Sequence, residues 1–311
     1  MNILYFTETD RGIDRWREEF AKVDPSLKIF GLDDKYDPAS IEVVLAWKPP
    51  VGVFPQLTNL KLIHSLGMGV DHIFACSDRP TNIPIARIID EDMSVQMAEY
   101  VLYGVLTAFR NFHLYAQEQQ SSTWKTHPRH FHEEFKIGIM GYGELGQSVT
   151  QCLQKNGFPN IRIWANSKRE IAGIECFNGK DQLPAFATDL DVLVCLLPLT
   201  DSTKLILNQS LFEKMKPGAY LINPARGDHL QEQDLLNAIE SGSLSGALLD
   251  VFIKEPMPSD HPFWQTKGIT ITPHVAASTN PRTASNQVIE NLQRTQQNLP
   301  AHNLIDLQKA Y

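Results

Sequence analysis

Short runs of β-branched and aliphatic residues recur along the chain, separated by stretches whose apolar residues fall three and four positions apart. The first third holds three such runs, "NILYF" (2–6), "VVLAW" (43–47) and "LKLIHSLG" (60–67), each predicted as a strand. From Lys136 onward the rhythm becomes more regular. "KIGIMG" (136–141), "IRIWAN" (161–166), "VLVCLLP" (192–198), "AYLINPA" (219–225), "GALLDVF" (246–252) and "ITITPH" (269–274) predict six more. Helical patterns lie between several of them, such as "LQEQDLLNAIESG" (230–242), which closes on a glycine as helices tend to. Near-continuous apolar strands alternating with helices predict an α/β fold with a doubly wound parallel sheet covered on both faces.

The same pattern divides the chain. A long helical stretch from about Ser94 to Gln120, containing "MAEYVLYGVLTAF", predicts a single helix crossing from a first unit to a second. After Thr279, "NPRTASNQVIENLQRTQQNL" turns helical again, with Pro281 at a favourable early helical position. That segment is expected to return to the first unit. The expected domains are therefore 1–99 plus 280–311, binding substrate, and an inserted 100–279, binding a dinucleotide.

Composition narrows the function classes. The 311 residues suffice for one large domain or two ordinary ones, and 42% apolar with 21% charged residues marks a globular chain. A formal charge of -8 provides no basic footprint for nucleic acid. Cys76, Cys152, Cys176 and Cys195 are scattered without a Cys-x-x-Cys pair, so neither a disulfide framework nor a zinc knuckle is expected. "MNILYFTETD" lacks the basic region of a signal peptide, and no apolar run is long enough to span a bilayer. A cytoplasmic, soluble protein is the expectation.

"KIGIMGYGELGQSVTQCLQKNG" places Gly141, Gly143 and Gly146 in G-x-G-x-x-G order, with Glu144 and Leu145 between. The spacing alone is weak evidence, but a strand ends on the first glycine and a helix begins after the second. Gly141 permits a tight turn, Gly143 lets the backbone approach a pyrophosphate, and Gly146 allows close helix–strand packing. The helix N-terminus adds free N–H groups and a positive dipole end. After the next strand, NAD-preferring sites place an acid for the ribose 2′-hydroxyl, whereas this chain reads Asn166-Ser167-Lys168-Arg169, with no carboxylate before Glu170. An acid would repel a 2′-phosphate, and Ser167, Lys168 and Arg169 can donate to it, so NADP(H) is expected in preference to NAD(H). Leu197, Pro198 and Ala225, at the ends of their strands, complete the expected cofactor contacts.

In a doubly wound sheet ligands gather at the carboxyl ends of the strands. Arg226 follows "AYLINPA", Glu255 follows "GALLDVFIK" and His274 follows "ITITP". Together they offer an anion clamp, a carboxylate and a proton donor, the functions that reduction of a 2-keto acid needs. A guanidinium binds the substrate carboxylate and polarises the keto oxygen. Histidine supplies the proton that this oxygen takes up, and a nearby Glu255 would orient the ring and favour the imidazolium.

The ordered motifs "HSLGMGVDHI", "GIMGYGELG", "INPARG", "LDVF…EP" and "TPHVAA" resemble those of the D-isomer-specific 2-hydroxyacid dehydrogenases. "LAWKPP" and a chain ending in Tyr311 after "IDLQKA" resemble the glyoxylate/hydroxypyruvate reductase A branch. The likeness runs over nearly the whole chain. It implies a Rossmann sheet inserted in a smaller flavodoxin-like domain, and catalytic roles for Arg226, Glu255 and His274. It further implies that Leu66, Gly67, Met68, Gly69 and Val70 cup the substrate carboxylate with backbone N–H groups, and that Asp250 holds the nicotinamide amide. A homodimer built through the coenzyme domains is implied as well, with an arm around "SSTWK" reaching the partner. Trp124 is then either a contributor to the neighbour's active site or an interface or core aromatic. Trp47 is either a wall of the substrate pocket or an ordinary buried tryptophan.

Other features carry less. His127, His130 and His132 beside Glu133 and Glu134 match no common zinc spacing, so a solvated connector is expected there and no metal. His64 and His72 flank the substrate loop without an evident acidic partner. "ARGD" at 225–228 is expected to be a loop feature and not an adhesion signal. The expected activity is NADPH-dependent reduction of glyoxylate, hydroxypyruvate and similar keto acids. Two alternatives stand beside it: a nucleotide-sensing binding protein on the same fold, and a dehydrogenase for another D-2-hydroxy acid.

Overall fold

A computed structural model describes residues 1–7 and 12–307. Tyr311, part of the resemblance above, lies outside the described residues. The chain divides into two compact units, Met1–Met93 with Ser278–Tyr311, and Ser94–Ala277.

The first unit begins with β1 (Asn2–Phe6), α1 (Ile13–Val23), β2 (Lys28–Phe30), β3 (Ile41–Ala46), β4 (Leu62–Ser65), α2 (Asp71–Phe74) and β5 (Ile85–Ala86). Its five strands are all parallel in the order β2-β1-β3-β4-β5, the flavodoxin-like arrangement. Ile13, Trp16 and Phe20 form the buried stripe of α1 at helical spacing. The strands β2 and β5 are the edges of this sheet.

Next come α3 (Glu91–Phe109) and α4 (Phe112–Gln120), where one continuous helix was expected. The break falls at Asn111, whose φ of 58° lies in the left-handed region that asparagine tolerates better than most residues. The second unit continues with β6 (Ile137–Met140), α5 (Glu144–Lys155), β7 (Ile161–Ala165), β8 (Glu175–Asn178), α6 (Leu183–Ala187), β9 (Val192–Cys195), α7 (Gln209–Phe212), β10 (Ala219–Asn223), α8 (Glu232–Glu240), β11 (Leu244–Leu249) and β12 (Ile269–Ile271). These seven strands run parallel in the order β12-β11-β10-β9-β6-β7-β8. That is the Rossmann order with an added edge strand, and the order reverses between β9 and β6. In β9, Val192 and Val194 join one buried cluster while Leu193 and Cys195 join the other, so both faces of the sheet are covered. Burial pushes the Cys195 thiol up to about 12, which leaves it an unreactive apolar filler.

Finally α9 (Pro281–Gln296) belongs to the first unit. Asn280 caps it by accepting the Arg282 amide, ahead of Pro281. Its fully buried Asn291 donates through Nδ2 to Nε2 of His64 at 3.1 Å and accepts the His302 amide at Oδ1. The other ring nitrogen of His64, Nδ1, donates to the Ser65 carbonyl at 2.9 Å, so the ring is neutral with its proton on Nδ1. Burial pushes His64 from 6.5 down to about 4. Between those values the unfolded chain binds a proton that the folded one refuses, so stability falls as the pH drops. Urea unfolding should show wild type losing, through this group, about 3 kcal/mol from pH 6.5 to 4. His64→Gln should be flatter by that amount; parallel curves would refute the assignment.

Among the described residues, no helix is long and apolar enough to cross a membrane.

Candidate active site

The carboxyl ends of β10, β11 and β12 are level, since Asn223 pairs with Leu249 and Leu249 with Ile271. Arg226, Glu255 and His274 therefore leave one edge of one sheet. Two of them touch: His274 Nδ1 lies 2.8 Å from Glu255 Oε2, with both side chains half-buried. The other carboxylate oxygen, Oε1, accepts the Phe252 amide at 3.1 Å, which holds the carboxylate over the turn that carries it. With Nδ1 on the carboxylate, Glu255 sets the rotation of the imidazole ring. The backbone of His274 sits at φ 56°, a left-handed conformation that persists only where the surroundings impose it.

Arg226 is placed by its neighbours. The buried Asn223 side chain accepts the Ala225 amide at Oδ1 and donates to the Arg226 carbonyl through Nδ2 at 3.0 Å, stapling the turn after β10. Arg226 Nη1 donates to the Ala225 carbonyl at 2.7 Å. Gly227 then runs so close to the Phe252–Ile253 backbone that a Cβ there would lie 2.0 Å from the Phe252 carbonyl carbon. This contact joins the arginine turn to the turn that carries Glu255. Asn223 has no counterpart among the expected residues; its signal was a polar residue at the end of an apolar strand.

At the sheet's reversal point, Gly141 follows β6 with φ 105°, and its place against the Leu196 carbonyl excludes a side chain. A Cβ on Gly146 would meet the Gly141 carbonyl at 2.2 Å, which is the close packing of α5 on the loop. Around Gly143, by contrast, a Cβ would meet nothing within 4 Å. Gly143 caps α5 with no side-chain bond, so the amides of Glu144, Leu145 and Gly146 are donors at a helix start. This open cradle fits a dinucleotide pyrophosphate. Leu197 and Ala225 are buried near their strand ends, while Pro198 is exposed and its carbonyl accepts the Thr203 hydroxyl at 2.7 Å. Asn166, Ser167, Lys168 and Arg169 are all exposed after β7, and the next residue, Glu170, pairs with Lys168 at 3.1 Å on open surface. Such a pair is worth little and is easily exchanged for a ligand phosphate.

In the first unit the loop after β4 is organised by Ser65 and His72. Ser65 Oγ donates to the Gly69 carbonyl at 2.8 Å and accepts the Gly67 amide at 3.2 Å. His72 Nδ1 accepts the Lys48 amide, so Nε2 carries the proton and donates to the Gly69 carbonyl at 3.1 Å. Leu66 gives its amide to the Ala46 carbonyl. The expected anion cradle from Leu66 to Val70 thereby narrows, because the amides of Leu66 and Gly67 are already committed. Those of Met68, Gly69 and Val70 remain. Trp47 is half-buried, packed on His72 with ring centroids 4.3 Å apart and the planes tilted by 46°, and it covers Gly67, where a Cβ would lie 2.9 Å from the indole.

Trp124 is fully exposed, at 100%, so the core reading of this residue is wrong. Among the described residues no group of three or more acidic, histidine or cysteine side chains is placed to hold a metal. His127 pairs with Glu118 at 2.7 Å, while His130 and His132 pack against Phe109.

Residues 102–276, more than half of the chain, match the model of the D-isomer specific 2-hydroxyacid dehydrogenase NAD binding domain. The chain belongs to that family. It is 41% identical over 280 residues to glyoxylate/hydroxypyruvate reductase A of Yersinia enterocolitica, covering 88% of this chain and 89% of the relative. To the protein of the same name from Serratia proteamaculans it is 44% identical over 261 residues, 82% of this chain and 83% of that one. Among solved structures, a D-isomer specific 2-hydroxyacid dehydrogenase from Xanthobacter autotrophicus, in complex with NADPH and MES, superposes with a TM-score of 0.92 at 33% identity over 100% of this chain and 99% of the other. An NADPH-dependent glyoxylate/hydroxypyruvate reductase from Sinorhizobium meliloti, in complex with NADP and sulfate, gives 0.91 at 31% identity over the same shares. The α/β fold expected from strand rhythm, and the Rossmann sheet that the resemblance implied, are the fold of this family.

Proposed function

We propose that this dehydrogenase reduces small 2-keto acids with NADPH, glyoxylate to glycolate and hydroxypyruvate to D-glycerate. The observation that carries the reading is the 2.8 Å contact between His274 and Glu255 at the carboxyl edge of the sheet bearing the glycine loop. A sensor of nucleotides has no use for a carboxylate-oriented proton donor. The names of the relatives and of the NADP-bound neighbour support the same choice.

NADPH supplies the hydride when bound. The amides that start α5 hold its pyrophosphate, and Ser167, Lys168 and Arg169 are the donors for the 2′-phosphate. Arg226 binds the substrate carboxylate and draws electron density toward the keto oxygen. As that oxygen gains charge it takes a proton from Nε2 of His274, and Glu255 stabilises the imidazolium before the transfer. The amides of Met68, Gly69 and Val70 in the first unit are further donors for a carboxylate. Asp250, with one acceptor position left beside three internal bonds, is the partner for the nicotinamide amide.

The test is side-by-side kinetics on glyoxylate, hydroxypyruvate, pyruvate and phenylpyruvate with each cofactor. We expect NADPH to exceed NADH in kcat/KM by about tenfold or more, the worth of one charge-assisted bond to the 2′-phosphate. A preference for NADH would overturn the cofactor assignment, and NADPH binding without turnover of any keto acid would overturn the reaction.

We also infer a cytoplasmic homodimer. Tyr103, Leu106, Phe112 and Tyr115 on α3 and α4, with Trp124 and Phe131 beyond them, expose apolar surface that a second coenzyme domain would cover. Trp124 is then the arm residue that reaches the partner's site. A monomer in sedimentation velocity would refute both. The four free cysteines suit a reducing compartment.

A further inference from the structure

Asp250 is 1% exposed, and its carboxylate grips the segment that holds His274 from both sides. Oδ1 accepts the Thr272 hydroxyl at 2.6 Å and the Val275 amide at 2.9 Å, and Oδ2 accepts the Ala276 amide at 2.8 Å. The main chain adds a fourth tie, because the Asp250 carbonyl accepts the His274 amide at 2.8 Å. Thr272 has a single hydroxyl proton and gives it to Asp250. The Tyr100 phenol, 2.7 Å from the Thr272 oxygen, is therefore the donor to it. Counting protons fixes the direction, from Tyr100 on α3 through Thr272 to Asp250.

These bonds bracket the left-handed His274, with Thr272 before it and Val275 and Ala276 after it. A side-chain-bearing residue at φ 56° stays there only when its surroundings over-determine it. Glu255 fixes the rotation of the imidazole, but it cannot fix the backbone from which the ring projects.

We propose that Tyr100, Thr272 and Asp250 form a positioning relay that imposes the backbone conformation of His274 and so aims its proton-donating nitrogen. The relay rests on the reading of His274 as proton donor, and it acts through His274. Its removal costs rate through aim: a misplacement of about 1 Å is worth up to about a hundredfold.

Thr272→Val keeps the shape of the side chain and removes both hydroxyl bonds, whereas Thr272→Ser keeps the hydroxyl. In Thr272→Val, kcat should fall about tenfold or more, with KM for glyoxylate and Kd for NADPH within about twofold of wild type. Tyr100→Phe should fall less, and Thr272→Ser should recover most of the rate. A merely structural role would lower stability without this split between kcat and KM. Hydrogen exchange at the amides of 274–276, which needs neither substrate nor cofactor, should accelerate in Thr272→Val and not in Thr272→Ser. Unchanged kcat in Thr272→Val overturns the relay, as does unchanged exchange. Should wild type oxidise NADPH with no keto acid, the reductase reading fails, and the exchange measurement still decides whether the relay holds the loop.

Discussion

Replacing His274 with asparagine is expected to lower kcat for 2-keto acid reduction about 10²- to 10⁴-fold, the usual worth of a positioned general acid. Asparagine is the informative substitution because of the backbone. Position 274 has φ 56°, and asparagine adopts the left-handed region more readily than other side-chain-bearing residues, so the loop should keep its form. Its amide can still meet Glu255, which accepts from His274 Nδ1 at 2.8 Å. What asparagine lacks is an acidic proton at the Nε2 position. NADPH affinity, set by the glycine loop and the turn after β7, should stay within about twofold, since those donors belong to other strand ends. Stopped-flow absorbance of NADPH under single-turnover conditions separates the two quantities. Turnover within about tenfold of wild type would remove His274 from the chemistry and leave the keto oxygen to Arg226.

How much of this is legible in the sequence depends on where each residue's partners lie. The strand β9 was readable because both of its faces are buried, which leaves an unbroken apolar run in the sequence. The edge strands β2 and β8 were not, since half-exposed edges carry no such run and their pairing is decided by the neighbouring strand. The break between α3 and α4 is not legible because helical periodicity continues across Asn111, and only its backbone departs. Placing Arg226, Glu255 and His274 at one edge was a matter of topology, since parallel strands bring their carboxyl ends together. The meeting of Glu255 and His274 followed from that placement. The grip of Asp250 on residues 272–276 did not, because nothing in an aspartate's identity says which amides will face it. For the same reason the bonds of His72 to the backbone of Lys48 and Gly69 are not legible in the sequence.

Gly227→Ala should cost about 3 kcal/mol or more of stability, at or beyond the upper end of ordinary overpacking. The added methyl would sit 2.0 Å from the Phe252 carbonyl carbon, 2.3 Å from the Ile253 nitrogen and 2.5 Å from the Phe252 oxygen. All three are backbone atoms, so no flexible side chain can yield and two turns must part. One of those turns carries Arg226, held by Asn223, and the other carries Glu255, whose Oε1 is tied to the Phe252 amide. Separation therefore pulls the guanidinium away from the carboxylate and histidine pair, and kcat/KM should fall about a hundredfold even in the fraction that remains folded. Thermal unfolding and keto acid kinetics on the same preparation distinguish the two losses. A variant that melts within a few degrees of wild type and keeps its kcat/KM would show that the arginine turn reaches its place without this contact. Cores and tight turns respond to a missing ångström by rearranging, because their close-packed atoms have no intermediate position to take.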